Sequence, residues 1–394
     1  MNNEKLIANI GESLSKQNNL PRNIGILDGS IGVSLFYFKL AHLFDKEYFF
    51  ELGNTTLQKT FHVIEEYDSL SGTFCSGLAG FGWGLLYFQE KSFIEIEADN
   101  YLNQLDGILS ENLKEELAKA NLDFLHGASG LAYYFIKRYE TNPSQSSTEL
   151  KRYIKWLDNT KKESEDGFYW DDFIDMGEIN LSLSHGLASV IIILCKIYSL
   201  GIETKQTQEL IEGSINYVLK QKAKKPHLGC YFPQLIQEDK NTKYIKSRLA
   251  WCYGDLGIAL AIWHAGTSLS NHFLKQLAKE IFIYSAERKQ LGENAIKDAG
   301  LCHGTAGIAQ IFQRMYLNTQ EEVFKNSAAY WVDETLKMAK FTSGLAGYKT
   351  FIPDKIEPWK NTSDLISGVS GIGLALMSFQ DKNFNDWDQC LLIS

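Results

Sequence analysis

Cys252, Cys302 and His303 are the side chains of this sequence best suited to bind a metal. They stand in two matching settings, Trp251-Cys252-Tyr253-Gly254 and Leu301-Cys302-His303-Gly304. Two thiolates and one imidazole suit a borderline-soft, tetrahedral ion, which reads as zinc, and three protein ligands leave a fourth position for water or substrate. An open position separates a catalytic ion from a closed structural one. The gap between the two cysteines matches no short finger spacing, so the reading rests on register. Each cysteine lies two residues before the first glycine of the same recurring pattern. Cysteine is also a common apolar filler of cores, and that is the role expected of Cys75, Cys195 and Cys390. Cys75 shares the register of Cys252 and Cys302 but belongs to the second repeat, and it is expected to bind no metal.

The pattern is Gly-x-x-Gly or a near relative. It occurs as Gly29-Ser30-Ile31-Gly32, Gly77-Leu78-Ala79-Gly80, Gly127-Ala128-Ser129-Gly130, Gly186-Leu187-Ala188-Ser189, Gly254-Asp255-Leu256-Gly257, Gly304-Thr305-Ala306-Gly307 and Gly368-Val369-Ser370-Gly371. The leading glycines lie 48 to 68 residues apart, a spacing that marks a repeat architecture whose units bury their faces against neighbours.

Each copy opens an apolar stretch, such as Leu131-Ala132-Tyr133-Tyr134-Phe135-Ile136 or Val190-Ile191-Ile192-Ile193-Leu194, too uniformly hydrophobic for a surface helix. Between copies lie amphipathic stretches, with Leu150, Ile154 and Leu157, or Leu210, Ile211, Ile215, Val218 and Leu219, at helical spacing. One unit is therefore an amphipathic helix, a loop, and an apolar helix headed by glycines. Seven such hairpins predict an all-α protein, an α/α toroid forming a single domain over residues 1–394. The glycines serve close backbone approach or a positive φ at the head of the helix.

Two segments break the helical rhythm: Gly167 to Leu183, with Phe168-Tyr169-Trp170, and Gly229 to Lys246, with Cys230-Tyr231-Phe232-Pro233. Alternation and aromatic content predict short strands or ordered loops there, placed near the active-site end. The amino terminus lacks a basic region followed by an apolar core, and no apolar run approaches a membrane span. That pattern and the sparse cysteines predict a cytoplasmic protein without an integral membrane segment. A formal net charge of −9 argues against nucleic acid as partner.

Trp251-Cys252-Tyr253-Gly254, Leu301-Cys302-His303-Gly304, Ser184-His185-Gly186 and the sevenfold glycine pattern together resemble the lanthionine synthetase C-like family, the stand-alone cyclases of nisin-type lantibiotic biosynthesis. The resemblance covers nearly the whole chain. It implies an α/α toroid and one zinc ion held by Cys252, Cys302 and His303. It also implies formation of thioether rings in a precursor peptide, by addition of cysteine thiols to dehydroalanine or dehydrobutyrine.

By the same resemblance His185 is the acid–base residue that takes the thiol proton or delivers one to the enolate, suited to it by an imidazole pKa near neutrality. Asp123 matches a family aspartate able to orient His185, with a helix cap as its structural alternative. Arg248 matches a family arginine whose fixed charge could steady the enolate oxygen, and Tyr253 could donate a hydrogen bond. His126 is a cleft residue and His264 a packed one. A dehydratase and an export transporter are the implied partners, assembled at the inner membrane face. The competing readings are a non-catalytic peptide-binding scaffold, and a zinc enzyme activating another thiol such as glutathione or a prenyl acceptor.

Overall fold

Each glycine-headed apolar stretch folds as a helix in the computed structural model, which describes residues 3–17, 21–67, 70–95, 99–170, 178–226, 229–237 and 246–394. Along the chain the helices are α1 (Asn3–Ser15), α2 (Ser30–Phe44), α3 (Glu47–Glu66), α4 (Leu78–Glu90), α5 (Asp99–Ala118), α6 (Ala128–Arg138) and α7 (Pro143–Thr160). They continue as α8 (Leu187–Ser199), α9 (Thr204–Lys220), α10 (Asp255–Ser268), α11 (His272–Ala286), α12 (Thr305–Thr319), α13 (Glu322–Lys337) and α14 (Val369–Gln380). The even-numbered helices follow the glycines; the odd-numbered ones are their amphipathic partners.

Burial separates the two kinds as the patterning predicts. Helix α8 is buried from Leu187 through Cys195 without interruption. Helix α7 buries only a stripe that includes Leu150, Tyr153, Ile154 and Leu157, and α9 one that includes Leu210, Ile211, Ile215 and Val218. No helix among the described residues is long and apolar enough to cross a membrane.

The contacts fall into two compact units, Met1–Glu97 with Ala295–Ser394, and Ala98–Asn294. Within the first, the apolar helices pack in the order α12, α14, α2, α4, so the first and last repeats are neighbours. Within the second, the order is α6, α8, α10.

The glycine motif has a steric cause. The first amides of a helix lack intrahelical acceptors, and no side chain caps the helices behind these glycines. The preceding loop folds back to serve instead. Thr305, Ala306 and Gly307 donate to the carbonyls of Asp298, Ala299 and Gly300, and Leu78, Ala79 and Gly80 donate to those of Ser71, Gly72 and Thr73. The second glycine then faces the carbonyl six residues earlier: a Cβ on Gly80, Gly307 or Gly371 would overlap the oxygen of Phe74, Leu301 or Leu365. Close approach is thus the general reason for the motif. A positive φ is confined to one leading glycine, Gly254 at 98°, which corrects the wider expectation from sequence.

Both segments that break the rhythm contain strands. β1 (Lys162–Ser164) and β2 (Gly167–Tyr169) form a hairpin, and β3 (Glu178–Asn180) pairs antiparallel with β4 (Leu235–Gln237). Residues 171–177 and 238–245 of these segments lie outside the described residues. A further hairpin, β5 (Thr350–Phe351) with β6 (Trp359–Lys360), has no counterpart in the sequence reading.

Gly307→Ala is expected to lower stability by on the order of 3 kcal/mol in urea denaturation, because backbone rather than a yielding side chain blocks the added carbon. Gly107→Ala, in α5 with open space around it, is expected to raise stability by about 0.5–1 kcal/mol through the entropy of the unfolded chain.

Candidate functional site

Backbone bonds between neighbouring loops set the place of each candidate ligand. The carbonyl of Cys252 accepts from the amides of Leu183 (3.1 Å) and Ser184 (3.3 Å), and from the Ser184 hydroxyl at 3.3 Å. The amides of Leu301 and Cys302 donate to the Ile366 carbonyl at 3.1 and 2.9 Å. The same connection recurs where Leu365 and Ile366 donate to Leu27, and where Leu27 and Asp28 donate to Cys75. Cys252 is buried, while Cys302 and His303 are half-buried.

One group of His, Cys, Asp or Glu side chains among the described residues could hold a metal ion: Cys252, Cys302 and His303, whose ligand atoms all lie within 4.8 Å of one another. Metal–sulfur bonds of about 2.3 Å and metal–nitrogen bonds of about 2.0 Å place the ligands of one tetrahedral zinc roughly 3.5 Å apart. Donor set and spacing therefore fit one ion. Cys75 is not in the group.

His185 Nδ1 lies 2.5 Å from Asp123 Oδ2. Asp123 is 7% exposed, and its other oxygen accepts from the His126 amide at 2.8 Å. The carboxylate is thus held by its own loop and presented to an imidazole 62 residues further on. The His185 amide donates to the Ser182 hydroxyl at 3.1 Å. Two rings flank the imidazole, Tyr253 with centroids 6.0 Å apart and His126 at 6.3 Å. Asn180, at the end of β3, donates from Nδ2 to the Tyr253 hydroxyl oxygen at 3.3 Å.

Arg248 is half-buried and occupies a distinctive register, six residues before the leading glycine. The corresponding side chains of Ser71, Asn121, Asn180 and Asp298 each accept from the amide two residues on, at 2.8 to 3.3 Å. That turn is what Asx and Ser side chains do best. An arginine has no acceptor for it. The fifth repeat therefore replaces a turn-forming residue with a cation, and there the loop takes the positive φ at Gly254.

The family model of the lanthionine synthetase C-like proteins matches residues 21–392. The chain belongs to that family. It is 26% identical, over 430 residues covering 100% of this chain and 94% of the relative, to the nisin biosynthesis protein NisC of Lactococcus lactis subsp. lactis. A solved structure named nisin cyclase superposes with a TM-score of 0.73 at 20% identity, covering 100% of this chain and 96% of that one. The fold is therefore the all-α helical toroid predicted from the repeats.

In this lanthionine synthetase C-like chain a second buried carboxylate escaped the sequence reading. Asp255 begins α10, three residues after Cys252, and accepts from the amides of Tyr231 (3.1 and 3.0 Å) and Phe232 (3.0 Å) and from Arg288 Nη1 at 3.3 Å. Burial pushes its carboxyl above the usual range, against the pull of the Tyr231 amide and the Arg288 guanidinium. Arg288 also donates to the Ser247 carbonyl at 3.0 Å and the Asn294 side chain at 3.0 Å. Asp255 thus fastens the segment at Tyr231 and Phe232 to the loop that carries Cys252 and Arg248. A carboxylate opening an otherwise apolar helix was the available signal.

Asp255→Ala strands the Arg288 guanidinium in the core and should cost about 3–5 kcal/mol, read as a lower urea midpoint. A midpoint equal to wild type would show that Arg288 does not depend on this carboxylate.

Proposed function

We propose that this protein is a zinc-dependent lantibiotic cyclase, forming lanthionine and methyllanthionine rings in a dehydrated precursor peptide. The observation that carries the proposal is the convergence of two thiols and one imidazole within 4.8 Å, on a chain of the lanthionine synthetase C-like family. The named relative, a nisin biosynthesis protein, is aligned over the whole chain, which supports a peptide substrate of the same class and residues 1–394 acting as one domain.

Cys252, Cys302 and His303 would hold the ion. A bound zinc ion would supply Lewis acidity that lowers the pKa of a peptide thiol from about 8.5, raising the fraction present as thiolate. The sulfur then bonds to the β-carbon of dehydroalanine or dehydrobutyrine, the π pair moves toward the carbonyl as an enolate, and the α-carbon takes a proton. Addition is redox-neutral: the proton lost from sulfur is balanced by the one gained at carbon.

His185 moves that proton. Asp123 engages Nδ1, so the exchange takes place at Nε2, and the carboxylate favours the imidazolium form between the two transfers. Arg248 supplies a fixed positive charge for the enolate oxygen. Tyr253, whose oxygen accepts from Asn180, would donate a hydrogen bond to the substrate. Because the alkene must exist beforehand, a dehydratase acts upstream. We place the reaction in the cytoplasm, with that dehydratase and an export transporter as partners.

The purified protein is expected to carry one zinc per chain, Cys302→Ala to lose it and Cys75→Ser to keep it, by metal analysis. Incubation with a dehydrated precursor should leave the peptide mass unchanged while one alkylatable thiol disappears per ring, read by mass spectrometry after thiol labelling. Retention of every thiol would point to a scaffold, and glutathione adducts to another thiol-activating enzyme. His185→Asn should retain zinc and lose about 100-fold or more of the cyclisation rate. A wild-type rate with zinc bound would remove His185 from the mechanism.

A further inference from the structure

Asp298 lies four residues before Cys302 and is 3% exposed. Its Oδ1 accepts from the Gly300 amide at 3.1 Å, the turn that Asn121 and Asn180 make in the third and fourth repeats. Asparagine satisfies that turn, so the turn alone does not call for a charge. The second oxygen is what aspartate adds. Oδ2 accepts from the Phe351 amide at 2.9 Å, and the same atom lies 3.9 Å from Nε2 of His303.

We propose that Asp298 is a positioning residue for His303: Oδ2 takes Nε2 of the imidazole, so that Nδ1 is the nitrogen presented to the metal. This rests on the reading of His303 as a zinc ligand given above. A carboxylate behind a ligating imidazole fixes its tautomer, orients the ring and raises the basicity of the coordinating nitrogen. With Nε2 protonated as donor, the lone pair belongs to Nδ1.

The carboxylate is itself held in a packed frame. Phe351 sits at the base of the β5–β6 hairpin, where its ring meets Trp359 at 5.3 Å and Trp359 meets Phe341 at 4.9 Å between centroids. Lys297 Nζ lies 3.9 Å from the Phe351 ring centre. Oδ2 is thereby held by the Phe351 amide, and the hairpin, absent from the sequence reading, gains a reason to abut this loop.

Zinc affinity of the full chain, measured by chelator competition without any peptide, tests the proposal. Asp298→Asn keeps an oxygen for the turn and loses the charge. It is expected to bind zinc about 10–100-fold more weakly, and, because its amide nitrogen cannot accept from the Phe351 amide, to lower the thermal midpoint of the metal-free protein as well. Wild-type zinc affinity in this variant, with or without a lower metal-free midpoint, would reduce Asp298 to a turn residue and overturn the proposal. An independent measurement needs no variant. Nitrogen-15 histidine spectra of the zinc-loaded wild-type chain should show the metal on Nδ1 of His303 and hydrogen on Nε2, and the reverse pattern would overturn it. A wild-type chain that binds no zinc would remove the zinc reading itself, a result distinct from either of these.

Discussion

The carbonyl two residues before a leading glycine is the joint between repeats. At Leu27, Cys75, Cys252 and Ile366 it accepts a pair of amides from another repeat's loop. These loops are buried and lack regular secondary structure, so their N–H groups need partners, and the adjoining loop provides them. The candidate thiol ligands sit at this same register. Cys252 is an acceptor in one such joint, and the Cys302 amide is a donor in another. With both backbones pinned, only one side-chain torsion remains to place each sulfur.

The joint depends on the glycines for a reason other than flexibility. Folding the loop back onto the helix brings a carbonyl to the second glycine of the motif, at a distance no side chain allows. The helix start is thereby capped by main chain, and side chains in the loop are released for other work. Buried carboxylates take up much of it. Asp123, Asp255, Asp298 and Asp364 each accept from at least one loop amide. Burial pushes Asp364 up to about 6 even though the Ser367 and Gly368 amides favour its ionised form. In three of the four, the carboxylate also reaches a second element: His185 for Asp123, Arg288 for Asp255, Phe351 for Asp298.

This division explains how one repeated loop serves both structure and chemistry. Register positions are shared, while occupants differ. Asn121 and Asn180 complete a turn where Arg248 offers a charge and Asp298 completes the turn and reaches further. Cys75 occupies the ligand register, yet it is absent from the metal-capable group, and its carbonyl serves the joint.

The sequence by itself determined the helices, their inner or amphipathic character, the seven repeats and the register of the candidate ligands. Each of these is local, because a helix repeats its buried face every few residues and a glycine motif acts on its own turn. The strands in both irregular segments were legible too, from alternation and aromatic content. The β5–β6 hairpin was not, since two-residue strands carry no periodic signal. Tertiary structure alone decided the partners. Asp123 meets His185 across 62 residues, Asp255 meets Arg288 across 33, and Asp298 meets the Phe351 amide across 53. The free energy of such a pair depends on which loops are brought side by side and how far water is excluded from between them, and neither is written in the spacing of residues along the chain.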